Sequence, residues 1–173
     1  MSTDPTWYTI VASPIGDLLL LSDGHALRGL SMQEGRHPIR LQPQWQAAEA
    51  PFAAVQEQLT EYFAGERTTF DVPLRMDGSP FHLRVWRALC DIPFGTTTSY
   101  GELARRVGKP SAARAVGLAN GRNPIGVIVP CHRVIGADGS LTGYGGGLER
   151  KRFLLGLEGD ASAGDAPQLR LEV

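Results

Sequence analysis

The sequence predicts an α/β protein of the α+β type, in which a small antiparallel-sheet module precedes a mainly helical domain. Three short apolar runs separated by turn signals occupy the first 32 residues. Capped helical segments dominate after residue 79, where a branched apolar stretch is interrupted by Pro-Cys-His-Arg. We therefore expect an N-terminal module at residues 1–75, a C-terminal domain at 76–159 and a flexible tail at 160–173.

The N-terminal module is predicted to begin with strands at residues 7–13, 17–22 and 26–32. The tight turns at Pro14-Ile15-Gly16 and Asp23-Gly24 favour antiparallel pairing of consecutive strands. A loop at 33–50, a helix at 51–64 and a strand at 69–74 complete the module. It contains no chemical motif, and His25 and His37 are expected to face solvent.

A helix-turn-helix is predicted in the C-terminal domain. Ser99 and Glu102 form a capping box, so a helix starts after Ser99 and ends at Gly108. After a short turn, Ser111 is expected to cap a second helix at residues 112–120. Any helical hairpin has this outline, so the pattern alone is weak evidence for DNA binding.

The second helix of this pair is unusually smooth. Small residues surround Arg114, namely Ala112, Ala113, Ala115, Gly117 and Ala119. Proteins that recognise base sequence in the major groove of DNA need long polar side chains to reach the base edges. A smooth helix with one arginine instead suits close approach to a narrow groove and weakly sequence-specific binding.

The charge distribution supports a polyanionic partner for the same half of the chain. Net charge is −1 overall. Residues 81–158 carry 11 Lys and Arg against 5 Asp and Glu, a balance of +6, and the remainder balances at −7. A basic half beside an acidic half makes the basic half the candidate surface for a nucleic acid.

The segment around Cys131 has the residue types of nucleophilic catalysis. A thiolate attacks and a base must generate it, and His132 follows Cys131 directly. Adjacent residues of a regular strand point to opposite faces, so His132 cannot contact the neighbouring sulfur if the strand continues. Pro130 removes a backbone donor, which favours a local turn or a bridging water between the two side chains.

The remaining C-terminal segments are less informative. A helix is predicted at 80–90 with Ser79 as its cap, a strand at 125–129, a tight turn at 138–139, a flexible loop at 143–147 and a helix at 148–158. Lys151 and Arg152 are expected on the solvent face of the last helix.

Cysteine usage indicates a reducing compartment. Cys90 and Cys131 are the only thiols, too few for a disulfide framework, and Cys90 is expected to be a small core residue. The spacing of Cys and His predicts no metal site, and no cofactor is expected. Without a leader or an apolar run long enough to span a bilayer, the sequence predicts a soluble cytoplasmic protein with no membrane partner.

The motif Pro130-Cys131-His132-Arg133-Val134 resembles the active-site segment of the O6-alkylguanine-DNA alkyltransferases, the methylated-DNA–protein-cysteine methyltransferases. Asn123-Pro124 upstream and Gly143-Tyr144-Gly145-Gly146-Gly147 downstream belong to the same pattern. The resemblance is specific over residues 81–158 and looser over residues 1–75.

The resemblance implies five catalytic residues. Cys131 would be the alkyl acceptor and His132 its base, acting through a water. Glu158 would orient His132 and favour its positively charged form. Tyr100 would face a flipped guanine and help to protonate it. Asn123 would hold the turn that carries Cys131.

The resemblance also implies residues for DNA and for the alkyl pocket. Arg114 would fill the gap that the flipped base leaves in the stack. The other DNA contacts would come from Ser99, Ala112, Ala113 and Gly117, and the pocket walls from Pro130, Tyr144, Gly145 and Gly146. Many relatives have Ser where this chain has Gly145, so one hydrogen bond to guanine O6 would come from the backbone alone.

The implied activity is irreversible, stoichiometric DNA repair by transfer of an alkyl group from O6-alkylguanine, and from O4-alkylthymine, to Cys131. The partner would be double-stranded DNA and the protein a monomer, with cooperative binding left open. Two other classes remain: a Cys-His-Asn hydrolase built from Cys131, His132 and Asn123, and a lesion-binding relative without catalysis. Relatives of the second kind replace the cysteine, which this chain retains.

Overall fold

The computed structural model describes residues 4–36 and 38–159, so His37 and the expected tail at 160–173 lie outside the described residues. Four strands form one sheet in the order β3-β2-β1-β4: β1 Trp7–Val11, β2 Leu18–Ser22, β3 Leu27–Met32 and β4 Gln46–Ala47. The first three pair antiparallel, as predicted. The short β4 pairs parallel with β1, inside the stretch predicted to be only a loop.

Helix α1, Ala53–Phe63, follows a 3-10 turn at Ala50–Phe52 and packs Val55, Leu59 and Tyr62 into the core. The strand predicted at 69–74 is absent. That segment contacts the sheet through one bridge between Leu27 and Leu74, because Pro73 has no backbone N–H with which to extend a ladder.

Helix α2, Pro80–Cys90, begins as predicted, with Ser79 Oγ accepting from the His82 N–H. Val85, Trp86 and Leu89 form its buried face. Cys90 is exposed rather than in the core, since it falls just outside this stripe.

The helix-turn-helix consists of α3, Tyr100–Arg106, and α4, Ala113–Gly121. Ser99 Oγ accepts from the Glu102 N–H, which is one of the two bonds of the predicted capping box, while the Glu102 carboxylate pairs with Arg105. The predicted Ser111 cap is wrong: α4 starts from Ala112 without a side-chain cap, and its first i→i−4 bond runs from the Val116 N–H to the Ala112 carbonyl.

Trp86 of α2 anchors this pair, because its Nε1 donates to the Ala119 carbonyl at the buried side of α4 (2.9 Å). The opposite side of α4 is therefore left to solvent.

The strand predicted at 125–129 is also wrong. Residues 126–128 form a turn in which Val127 has a φ of 67°, a left-handed value that a branched side chain rarely adopts. Only Ile125 pairs, with Leu30 at the edge of β3. This contact places the chain leading to Cys131 against the N-terminal sheet.

A 3-10 turn at Cys131–Arg133 leads into β6, Val134–Ile135, which pairs parallel with β5, Thr98–Ser99. Helix α5 spans Leu148–Leu157, with Glu158 at its C-terminal cap. Lys151 is fully buried, which contradicts the predicted solvent position, whereas Arg152 is exposed. Within the described residues, no helix has the length and apolar character needed to cross a membrane.

Candidate active site

Cys131 lies at the first position of the 3-10 turn, and Pro130 precedes it with φ −83° and ψ 64°. The predicted departure from a strand is therefore confirmed. Asn123 braces the preceding turn at both ends, since its Nδ2 donates to the Val129 carbonyl (2.7 Å) and its Oδ1 accepts from the Ile125 N–H (3.0 Å). Cys131 is consequently held by backbone geometry on a rigid segment.

His132 is buried and contacts Glu158 through Nε2 and Oε2 at 2.8 Å. Glu158 also accepts from Arg133, whose Nε lies 2.7 Å from Oε1 and whose Nη2 lies 3.0 Å from Oε2. An ionised carboxylate can only accept, so His132 Nε2 carries the proton of this bond. His132 Nδ1 is then the lone-pair nitrogen, and it is buried with no partner among the described residues.

The pKa values follow from burial and these bonds. Burial alone would raise the pKa of Glu158, but hydrogen bonds and charges from His132 and Arg133 outweigh it and lower the pKa to about 2. Burial lowers the pKa of His132, and Glu158 opposes this only in part. The pair is therefore a carboxylate and a neutral imidazole at neutral pH.

Burial also raises the pKa of the Cys131 thiol, against opposing effects of Asn123 and the charge of Lys151. Lys151 Nζ donates to the carbonyls of Val134 (2.6 Å) and Thr142 (2.8 Å), and burial lowers its pKa to about 8. The sequence contains a signal for this buried lysine: Lys151 shares one helical face with Leu154 and Leu155.

A cavity of about 270 Å³ opens beside Cys131. Three residues predicted for the pocket line the cavity: Tyr144, Gly145 and Gly146. Pro130 and Tyr100 are not among its described lining residues. The N-terminal module contributes Leu30, Ser31, Met32 and Ile39. This second wall was not predicted, because no local pattern marks those residues.

Gly145 and Gly146, two of the glycines that line the cavity, differ in the space around them. A Cβ at Gly146 would overlap the Met32 sulfur, so a side chain there would require Met32 to move. At Gly145 the corresponding position is open. The Gly145 carbonyl accepts from the Arg36 N–H (2.9 Å), which ties the loop to the N-terminal module.

Asn120 of α4 is a cavity residue that the sequence analysis missed. It is buried, and its Nδ2 lies 3.4 Å from the Cys131 carbonyl. That carbonyl fixes the amide orientation, leaving Oδ1 buried without a partner among the described residues.

Tyr100 contacts both α4 and the chain at Thr142, which lies just before the cavity residues Tyr144, Gly145 and Gly146. Its hydroxyl donates to the Thr142 carbonyl (3.2 Å), and its ring lies 3.6 Å from the Cβ position of Gly117. The solvent face of α4 carries Arg114 and Ala115, with Ala112, Ala113 and Gly117 half-buried. It also carries Leu118, which is 64% exposed and was overlooked in the sequence pattern.

Comparison with known sequences identifies the chain. Residues 80–160 match the profile described as "6-O-methylguanine DNA methyltransferase, DNA binding domain", and residues 6–76 match the "ribonuclease-like domain" of the same proteins. The chain belongs to the 6-O-methylguanine DNA methyltransferase family. The predicted family and fold class are thereby confirmed.

Individual members of the methyltransferase family are close to this chain. The methylated-DNA–protein-cysteine methyltransferase of Methanosarcina acetivorans is 51% identical over 88% of this chain and 98% of its own length. The Mycobacterium tuberculosis protein of that name is 54% identical over 91% and 95%. The crystal structure of Mycobacterium tuberculosis OGT in complex with DNA has a TM-score of 0.83 and 52% identity, covering 90% of this chain and 96% of that one.

Proposed function

We propose that this protein repairs double-stranded DNA by transferring the alkyl group of O6-alkylguanine, and of O4-alkylthymine, to Sγ of its own Cys131. One observation carries the proposal: Cys131 borders a cavity, and the adjacent His132 has Nε2 engaged by Glu158 and Nδ1 unpartnered. Generation of a thiolate requires such a free lone pair within reach of the thiol, directly or through one water.

In the proposed reaction, the proton of Cys131 passes through a water to His132 Nδ1. The thiolate then attacks the alkyl carbon, forming the S–C bond as the C–O bond breaks, and the departing guanine takes up a proton with the help of Tyr100. Glu158 stabilises the imidazolium during this step, and Asn123 holds the turn. The product is a thioether, whose S–C bond is stable to neutral imidazole and amine groups such as those of this site, so each molecule reacts once.

The typical sizes of the catalytic effects indicate which part of the site contributes most to the proposed rate acceleration. A thiol with a pKa of ~8.5 is only about 3% thiolate at neutral pH. Lowering that pKa by ~2 units gains only a few-fold in rate, because nucleophilicity falls with basicity. Positioning is worth up to ~7–11 kcal/mol and protonation of the leaving group ~100- to 10,000-fold. The rigid turn and the shaped cavity therefore supply most of the proposed acceleration.

DNA would bind along α3 and α4, with the small face of α4 in the minor groove and the target base flipped towards the cavity. The basic balance of residues 81–158 and the exposed Arg114 support this, as does the complex of the Mycobacterium tuberculosis relative with DNA. Contacts would come from Ser99, Ala112, Ala113 and Gly117. We also propose that the protein acts as a monomer, divided at about residue 75, in the cytoplasm, where Cys131 remains reduced.

The decisive experiment is incubation with an excess of duplex containing O6-methylguanine. Stoichiometric transfer, with the added mass on a Cys131 peptide, is expected. Added mass on the exposed Cys90 would contradict the assignment. Repeated turnover would instead indicate a hydrolase, and binding without transfer would indicate a lesion-binding protein.

A further inference from the structure

Tyr62 of α1 reaches across the fold to the candidate active site. Its hydroxyl lies 2.6 Å from Glu158 Oε2, a contact between residues 96 positions apart. Oε2 is also the oxygen that accepts from His132. The Tyr62 side chain is 1% exposed, so no solvent competes for this bond.

In the bond between Tyr62 and Glu158, the tyrosine hydroxyl is the donor. Burial, and then the charge of Glu158, raise the pKa of Tyr62 well above its ordinary value. Tyr62 therefore stays protonated and donates to the carboxylate. The Tyr62 ring packs edge-on against Phe94, with 6.3 Å between the ring centroids. The Arg133 guanidinium lies 5.7 Å from the centre of the Phe94 ring. The two donors are thus held by a shared aromatic side chain.

We propose that Tyr62 is a positioning residue for alkyl transfer, through which the N-terminal module completes the hydrogen-bond network of Glu158 and His132. The proposal rests on the proposed function and deepens it. It also gives the N-terminal module a direct part in the chemistry of a cysteine that lies in the other half of the chain.

The Tyr62 hydroxyl affects His132 through the basicity of Glu158. Its Oε2 accepts from Tyr62, His132 and Arg133 together. Each donor stabilises the carboxylate charge and weakens its pull on the His132 Nε2–H. Without the Tyr62 hydroxyl, Glu158 attracts that proton more strongly, which favours imidazolium and raises the pKa of His132.

The other charged and titratable groups around His132 remain in place when the Tyr62 hydroxyl is removed. Lys151 of α5 and Arg133 of the same turn both lower the pKa of His132, and Cys131 precedes it in the chain. A shift caused by Tyr62 is therefore separable from their effects.

The test is Tyr62→Phe, which keeps the ring and removes the hydroxyl. Single-turnover reaction with free O6-benzylguanine is measured across pH, together with an NMR titration of His132 in unreacted protein. Protonated His132 cannot accept the thiol proton, so the acidic limb of the rate profile should move up by roughly 0.5–1 pH unit. On that limb the rate falls about 3- to 10-fold, while duplex affinity stays unchanged. Tyr8→Phe, on β1 of the same module, is the matched control and should behave as wild type.

A second variant separates positioning from simple packing. Incorporation of 3-fluorotyrosine at position 62 makes the phenol a stronger donor, so the acidic limb and the His132 titration should move down. Opposite shifts in the two variants support the proposal. The proposal is overturned if the rate profile and the His132 titration are unchanged, or if the two variants shift them in the same direction. This holds even if Tyr62→Phe lowers the melting temperature. If the wild type transfers no alkyl group, the proposed function fails separately, because the titration uses unreacted protein.

Discussion

The buried turn at Cys131 and the solvent face of α4 each carry an arginine, and the two arginines are held in opposite ways. Arg133 donates to both oxygens of Glu158 and, through Nη1, to the Ile92 carbonyl (2.7 Å). Arg114 is exposed and forms no ion pair with a described residue. Both are long cations in a basic half of the chain, yet only Arg114 can reach a ligand.

The difference shows how the chain separates chemistry from binding. In the buried turn, the donors around Glu158 stabilise its buried negative charge. A change there therefore alters reactivity and stability together. On α4, small residues surround the exposed Arg114, so under the proposed function a change there should alter the approach of DNA without disturbing the core. The two regions should therefore respond independently to mutation.

Loss of the nucleophile should have the largest effect. Cys131→Ala is expected to abolish transfer completely, because it removes the thiol that borders the cavity, while duplex affinity is retained through α4. Mass spectrometry and a binding titration measure the two properties. Cys90→Ala is the control and should transfer normally. Residual transfer by Cys131→Ala would place the acceptor elsewhere.

Glu158→Gln should disrupt the buried turn next most strongly. It leaves Arg133 buried without its counter-charge, a change that costs about 3–5 kcal/mol of unfolding free energy. Transfer to Cys131 should also slow, and the apparent thiol pKa in iodoacetamide titration should rise, because His132 loses its orienting charge. Glu149→Gln, exposed on α5, should change neither. An unaltered titration curve would remove Glu158 from the network.

Acid should weaken the same region. The folded pKa of Glu158 is about 2 against an ordinary 4.5, so its stabilisation is fully present above ~pH 4.5 and is lost as pH falls towards 2. The loss is up to about 3 kcal/mol at ~1.36 kcal/mol per pKa unit. Urea unfolding of the wild type at a series of pH values measures it. Glu158→Gln should lack this component, and a parallel pH dependence in both proteins would contradict the assignment.

Arg114→Ala tests the exposed region alone. If Arg114 fills the stack behind the flipped base, single-turnover repair of saturating duplex should slow by about 10- to 100-fold, since flipping costs a few kcal/mol. Reaction with free O6-benzylguanine should be unchanged. Arg152→Ala, exposed on α5, is the matched control. A defect that disappears at saturating duplex would reduce Arg114 to a phosphate contact, and equal slowing on both substrates would mean damage to the fold.

Removal of metal should have the smallest effect. No group of three or more His, Cys, Asp or Glu side chains that could hold a metal lies within residues 4–36 and 38–159. Full activity is therefore expected after exhaustive chelation, measured by stoichiometric transfer. Loss of transfer that zinc restores would refute this expectation.

Local chemistry in the sequence predicted much of the fold correctly. The first three strands, the Ser79 and Ser99 caps and the departure from a strand after Pro130 all depend on neighbouring residues. Propensity and capping act over a few positions, so they can be read directly from a sequence. The motif at Cys131 likewise identified the family before any geometry was known.

The errors arose where burial overrides local preference. Branched residues at 125–129 suggested a strand, but contact with the edge of β3 bends them into a turn. Lys151 was expected in solvent, yet two backbone carbonyls in a buried pocket satisfy its ammonium group. Both outcomes depend on segments distant in the chain, which no local pattern reports.

The sequence by itself therefore determined the family motif, with the adjacent thiol and imidazole of Cys131 and His132, and the departure from a strand after Pro130. Only the tertiary structure decided which nitrogen of His132 is free, which residues line the cavity beside Cys131 and that Tyr62 reaches Glu158. Hydrogen-bond direction and cavity shape arise when distant segments close on one another. Packing of the whole chain selects those contacts, because most buried polar groups find their partners on segments that are distant in the sequence.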